Sequence, residues 1–79
     1  MDDKQRPADT LRDGSLKATL WRNEGENGSF VSTQFAKTYT DRDGKPRDTN
    51  SFASSELLRV SELARQAYTR SNELRHEFA

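Results

Sequence analysis

The chain has 79 residues, of which 30% are hydrophobic and 33% charged, with 13 Lys plus Arg balancing 13 Asp plus Glu and no Cys. Such a length supports one small domain that buries only about 60% of the surface of its unfolded chain. Zero formal charge argues against clamping a phosphate backbone as the main task, absent Cys excludes disulfides and thiolate metal sites, and no apolar run approaches the roughly 20 residues of a membrane span.

Met1-Asp2-Asp3 is unlike the start of a signal peptide, so a soluble cytoplasmic protein is expected. Residues 1–9 read as a flexible N-terminal tail, with Pro7 and no apolar periodicity, and residues 10–79 as a single domain. Thr10 and Leu11 come close to the fold before Asp13-Gly14 turns the chain.

The run Leu16-Lys17-Ala18-Thr19-Leu20-Trp21-Arg22 alternates with period two and reads as the first strand. Leu16, Ala18 and Leu20 fall on one face, and Lys17, Thr19 and Trp21 on the other. The polar run Asn23–Gly28 is a hairpin loop whose Asn-Gly pair accepts positive φ cheaply. Setting Asn23 against Gly28 places Leu20 opposite Val31, Leu16 opposite Phe35 and Trp21 opposite Phe30.

Ser29 to Thr40, rich in Thr, Phe, Tyr and Val, is the second strand. Asp43-Gly44 is a strong short hairpin signal. Arg42 against Lys45 then brings Phe35 opposite Phe52 and Tyr39 opposite Asp48, which puts Arg47, Thr49 and Ser51 on the face of Trp21.

From about Ser55 the pattern turns helical, with Ser54 as N-cap and Glu56 in the first turn. Leu57, Val60, Leu63, Ala64, Ala67, Tyr68, Ser71, Leu74 and Phe78 form one stripe at 3.6 residues per turn. The expected architecture is α+β: a three-stranded antiparallel meander followed by one C-terminal helix packed on one face.

The segments Lys17–Gly28, Asp43-Gly44 and Arg47–Phe52 resemble a family of small bacterial proteins that carry a Lys-Ala-Thr-(Ile/Leu)-Trp-Arg-Asn-Glu-Gly-Glu-Asn-Gly hairpin motif. The likeness covers roughly Thr10 to Tyr68 and departs from the family where Pro46 and Val31 stand in place of common aromatics. No activity is assigned to that family, so the resemblance implies bacterial origin and no mechanism.

Catalytic and metal constellations are not expected. Placing Gly44 sixth in a calcium loop puts Tyr39 first and Asn50 twelfth, so both terminal carboxylates are missing. His76, the only histidine, sits near the helix end, where a cation complements the dipole. No serine lies in a nucleophile elbow, and no glycine-rich loop follows a strand and opens a helix. Asn27-Gly28-Ser29 fits the N-glycosylation acceptor pattern and reads as a turn. No cofactor, metal or small-molecule substrate is inferred.

A single helix covers one side of a sheet, which leaves the other side as the candidate partner surface. The residues singled out are Lys17, Thr19, Trp21, Arg22, Phe30, Ser32, Gln34 and Arg47. Three readings compete: a stabilising Trp21–Phe30 cross-strand pair, a protein contact that includes a homodimer, and a stacking platform for single-stranded nucleic acid with Lys17, Arg22, Lys37 or Arg47 on phosphates. Neutral charge ranks the nucleic acid below the protein partner. A strand-rich unit followed by a helix is also loosely similar in pattern to the whirly-type single-stranded-DNA-binding proteins.

Overall fold

The computed structural model describes residues 6–78. Residues 1–5 of the expected tail, and any extension of the helix to Ala79, lie outside them. The fold is α+β: an antiparallel sheet in the order β1-β2-β3-β4 and one helix, α1. The strands are β1 (Asp9–Asp13), β2 (Leu16–Gly25), β3 (Gly28–Thr40) and β4 (Pro46–Thr49). Helix α1 (Leu57–Phe78) follows a short 3-10 turn, Ser54–Glu56. No helix among the described residues is long and apolar enough to cross a membrane.

The meander has four strands rather than three. Asp9–Asp13 pairs with β2 from Asp9↔Leu20 to Asp13↔Leu16, so Gly14 and Ser15 alone close the hairpin. Gly14 has φ 62°, which suits the first central position of a two-residue hairpin turn. The ladder continues one bond further, with Ala8 N–H donating to the Leu20 carbonyl at 2.8 Å.

Both expected registers shift. The β2–β3 hairpin closes at Gly25↔Gly28, a tighter turn that slides the strands by two residues. Leu20 faces Thr33, Ala18 faces Phe35, and Trp21 faces Ser32 rather than Phe30. A slip of two keeps every side chain on its expected face. In the β3–β4 hairpin, Tyr39 faces Arg47 rather than Asp48, a slip of one that inverts the faces of β4.

The cause of the second slip is Asp41. Its Oδ1 accepts from the backbone N–H of Asp43 and of Lys45, both at 2.9 Å, and its own N–H donates to the Lys45 carbonyl at 2.9 Å. Asp41 and Lys45 thereby close a three-residue loop, with Gly44 at φ 77° as its left-handed residue. Thr49 ends the strand, because its Oγ1 accepts from Ser51 N–H at 3.1 Å and bends the chain away. Phe52 is therefore half-buried outside the ladder, not paired with Phe35.

The N-cap is Ala53 rather than Ser54, and it precedes the 3-10 turn that leads into α1. Alanine has no side-chain acceptor, but the Glu56 carboxylate reaches back to Ala53 N–H at 2.7 Å and supplies the return half of a capping box. The core is Leu16, Ala18 and Leu20 of the sheet against Leu63, Ala67 and Leu74 of the helix. Ala8, Leu11, Val31, Phe35 and Phe78 pack around it. Leu57, Ala64 and Tyr68 of the expected stripe are exposed.

Two guanidinium groups mark the flank of the helix that faces β1. Arg59 binds the Asp13 carboxylate and Arg70 binds that of Asp9, at 3.0 and 2.6 Å, so one flank of α1 is drawn over β1. The molecule measures 43 × 34 × 17 Å. Its short dimension is that of two layers, which leaves the sheet face opposite α1 uncovered among the described residues.

Candidate interaction face

The period-two alternation of β2 sends Lys17, Thr19, Trp21 and Asn23 to the uncovered face. Their partners on β3 are Ala36, Gln34, Ser32 and Phe30. Asp48 joins them from β4, opposite Thr38. Six of the eight residues singled out by sequence are thus brought together: Lys17, Thr19, Trp21, Phe30, Ser32 and Gln34.

Arg22 and Arg47 are not among them. Arg22 faces Val31 and lies on the helix side, its guanidinium carbon 4.3 Å from the centre of the Phe78 ring. The one-residue slip of β4 moves Arg47 and Thr49 to the helix side as well, and Ser51 lies outside any strand. Arg47 donates to Asp41 Oδ2 at 2.7 Å. Asp48 is the residue that sequence reasoning missed, because its place depends on the Asp41 loop.

Trp21 stands at the centre of the face. Its indole Nε1–H donates to Gln34 Oε1 at 2.9 Å, which sets the tilt of the ring. Asn23 braces the neighbouring positions, donating through Nδ2 to Ser32 Oγ at 2.9 Å and to the Trp21 carbonyl at 3.2 Å. Phe30 is 50% exposed and sits diagonally across from Trp21, not opposite it. Between Trp21 and β4 the surface dips into an open concavity of about 430 Å³, lined by Lys17, Thr19, Gln34, Ala36 and Asp48 among others.

Of the cations on this face, Lys17 is matched by Asp48, while Arg12, its cross-strand neighbour on β1, is exposed and forms no ion pair among the described residues. Lys17 Nζ lies 2.9 Å from Asp48 Oδ2 and bridges β2 to β4 above Ala36. The Thr38 hydroxyl donates to Asp48 Oδ1 at 2.7 Å. That hydroxyl first, and the Lys17 ammonium second, hold the Asp48 carboxyl below the usual carboxylate range. The other cations expected to meet phosphates are also paired, Arg22 with Glu24 at 3.0 Å and Lys37 with Glu56 at 3.0 Å. Both of those point away from the open face.

Among the described residues no group of three or more His, Cys, Asp or Glu lies together to hold a metal ion. His76 lines a hollow of about 370 Å³ at the end of α1 with Ser29, Asn72, Arg75 and Phe78, remote from Trp21 by strand position and on the opposite side of the sheet. No protein-family model, curated protein or solved structure matches this chain.

Proposed function

We propose that this chain is a small, non-catalytic interaction or accessory module of a bacterial cytoplasm, and that it binds a protein surface through the open sheet face around Trp21. One observation carries the reading: a large aromatic ring is held at a set angle by Gln34 on a face that no other element covers among the described residues. An aromatic fixed before binding loses little side-chain freedom on contact, which favours its use as an anchor. Ser32, Thr19 and Gln34 around it offer neutral donors and acceptors, as a polar rim does.

Single-stranded nucleic acid is the competing occupant. Stacking needs aromatic planes with free cations beside them. Here Lys17 is neutralised by Asp48, and Arg22, Lys37 and Arg47 are paired on the helix side, which leaves Arg12, beside Lys17 on β1, as an exposed cation of the open face without an ion pair among the described residues. This distribution favours a protein partner.

A photo-crosslinking residue placed at Thr19, which leaves the Gln34–Trp21 contact intact, tests the proposal, with the same residue at Thr69 on the exposed side of α1 as control. Discrete protease-sensitive adducts from position 19 alone are expected in cells of the source organism. Nuclease-sensitive adducts would transfer the face to nucleic acid, and equal labelling from both positions would remove it as a binding surface.

A further inference from the structure

The edge of β3 is only partly used. Thr38 N–H donates to the Ser15 carbonyl at 2.9 Å, so the backbone groups of Thr38 point towards β2. The unbroken register from Leu16↔Lys37 to Gly25↔Gly28 carries that direction to every second residue: Ala36, Gln34, Ser32 and Phe30. The intervening residues point the other way, where β4 pairs from Lys37 to Thr40 and goes no further. Ser29, Val31, Thr33 and Phe35 consequently present their N–H and C=O groups to an empty lane. Among the described residues no backbone hydrogen bond fills it.

The composition of this edge differs from that of the others. Gly28 to Ala36 contains neither a charged residue nor a proline, whereas β1 carries Asp9, Arg12 and Asp13, and β4 carries Pro46, Arg47 and Asp48. Charges and proline are what keep an edge strand from pairing with another chain. Two edges are guarded and the long one is not.

A second, independent feature lies beside it. With Arg59 and Arg70 tethering one flank of α1 to β1, the opposite flank stands over the free edge, as Asn72 and Arg75 show by sharing a hollow with Ser29. That flank exposes Leu57 at 53% and Tyr68 at 70%, with Ala64 between them.

We propose that a second copy of this chain occupies the edge, the two β3 strands pairing antiparallel about a two-fold axis at Ser32. Val31 of one copy then meets Thr33 of the other, and Ser29 meets Phe35, so that free backbone groups oppose free backbone groups throughout. The two four-stranded sheets become one. The same rotation brings both Tyr68 flanks face to face on the helix side, where Ala64 and Tyr68 give apolar contact and Asn72 and Arg75 border it. An unrelated extended peptide would satisfy the edge and leave that flank in water, which is why the occupant is a copy. A net charge of zero adds no repulsion between copies. This interface is separate from the Trp21 face and does not depend on it.

Sedimentation equilibrium of the full chain gives the test, with a dimer expected at micromolar to hundred-micromolar concentration. Tyr68→Glu alters a side chain exposed in the monomer and should raise the dissociation constant at least tenfold. Thr33→Pro removes an N–H that the monomer leaves unused and should do the same, while Trp21→Phe should not. Amide exchange in the unmodified chain reads the pairing without relying on any variant's folding: exchange at Val31 and Thr33 should slow as the protein is concentrated through the dissociation constant. A monomer at several hundred micromolar, a dimer indifferent to Tyr68→Glu, or fast exchange at Val31 and Thr33 in the dimer would each overturn the proposal. Any of these would leave the crosslinking result at Thr19 standing.

Discussion

Arg70 Nε donates to Asp9 Oδ2 at 2.6 Å, across 61 residues of sequence, and so joins the helix to the first edge strand. Arg70 also reaches Glu73 at 3.1 Å and Glu77 at 3.6 Å, so Asp9 docks onto a cation already held by two carboxylates on its own helix. With Arg59 and Asp13 about three turns of α1 earlier making the same link, β1 is fastened at both ends. These contacts lie on the flank of the helix next to β1 and add to the packing of Leu63, Ala67 and Leu74, while the opposite flank is left for a partner.

Asp9→Asn tests the first tether. Both side chains are about one third exposed, which limits the worth of the pair to about 0.5–1 kcal/mol after solvent screening. The urea midpoint should fall by that small amount with an unchanged slope, and amide exchange in β1 should accelerate more than in β3.

Acid should destabilise the fold in a defined window. Arg70, then the Thr10 backbone, holds the Asp9 carboxyl below 3.8, and Arg59 does so for Asp13. Arg65, then Gln66, pushes Glu62 from 4.5 down to about 2. A carboxyl whose folded pKa is depressed binds fewer protons when folded, so its stabilisation is complete above the unfolded value and is lost as pH falls through the folded one. Urea midpoints should be level above pH about 4.5 and decline from there towards pH 2. Glu62→Gln should flatten part of that decline.

Gly14→Ala should be worse than Gly44→Ala, although both residues have positive φ, 62° and 77°. Left-handed backbone costs a non-glycine residue about 1–2 kcal/mol at either place. At Gly14 the added methyl would also lie 2.8 Å from Arg59 Nη2, whereas at Gly44 it would meet nothing within 4 Å. In an Arg59→Ala background the difference between the two should disappear, and a double-mutant cycle by chemical denaturation measures this.

Core and flank positions on α1 should separate sharply. Leu63 is 2% exposed, and Leu63→Ala should cost about 2–5 kcal/mol, a large share of the roughly 4–12 kcal/mol available to a domain of this size. Leu58 is 85% exposed, so Leu58→Gln should stay within about 0.5 kcal/mol. Thermal and urea melts of the two variants provide the comparison.

Much of the architecture is legible in local pattern. Alternation in Leu16–Arg22 assigns Leu16, Ala18 and Leu20 to the core and Trp21 to the reverse face, and the first hairpin's slip of two residues cannot disturb that, because the side-chain period is also two. The strand Asp9–Asp13 was harder to read, since it is short and carries three charges that find partners only on a distant helix or remain at the surface. Arg47 lies on the helix side and not on the open face because one carboxylate, Asp41, lengthens the turn by a single residue.

The sequence by itself determined the elements, the two faces of β2 and β3, and the apolar stripe that makes α1 a cover, since periods of 2 and 3.6 residues are properties of the local chain. Only the tertiary structure decided how far α1 rolls towards β1, where β4 breaks away from β3, and hence which edge and which flank remain bare. Those outcomes depend on ion pairs and hydrogen bonds between residues tens of positions apart, or on a turn whose length a single side chain sets, and no local periodicity records either.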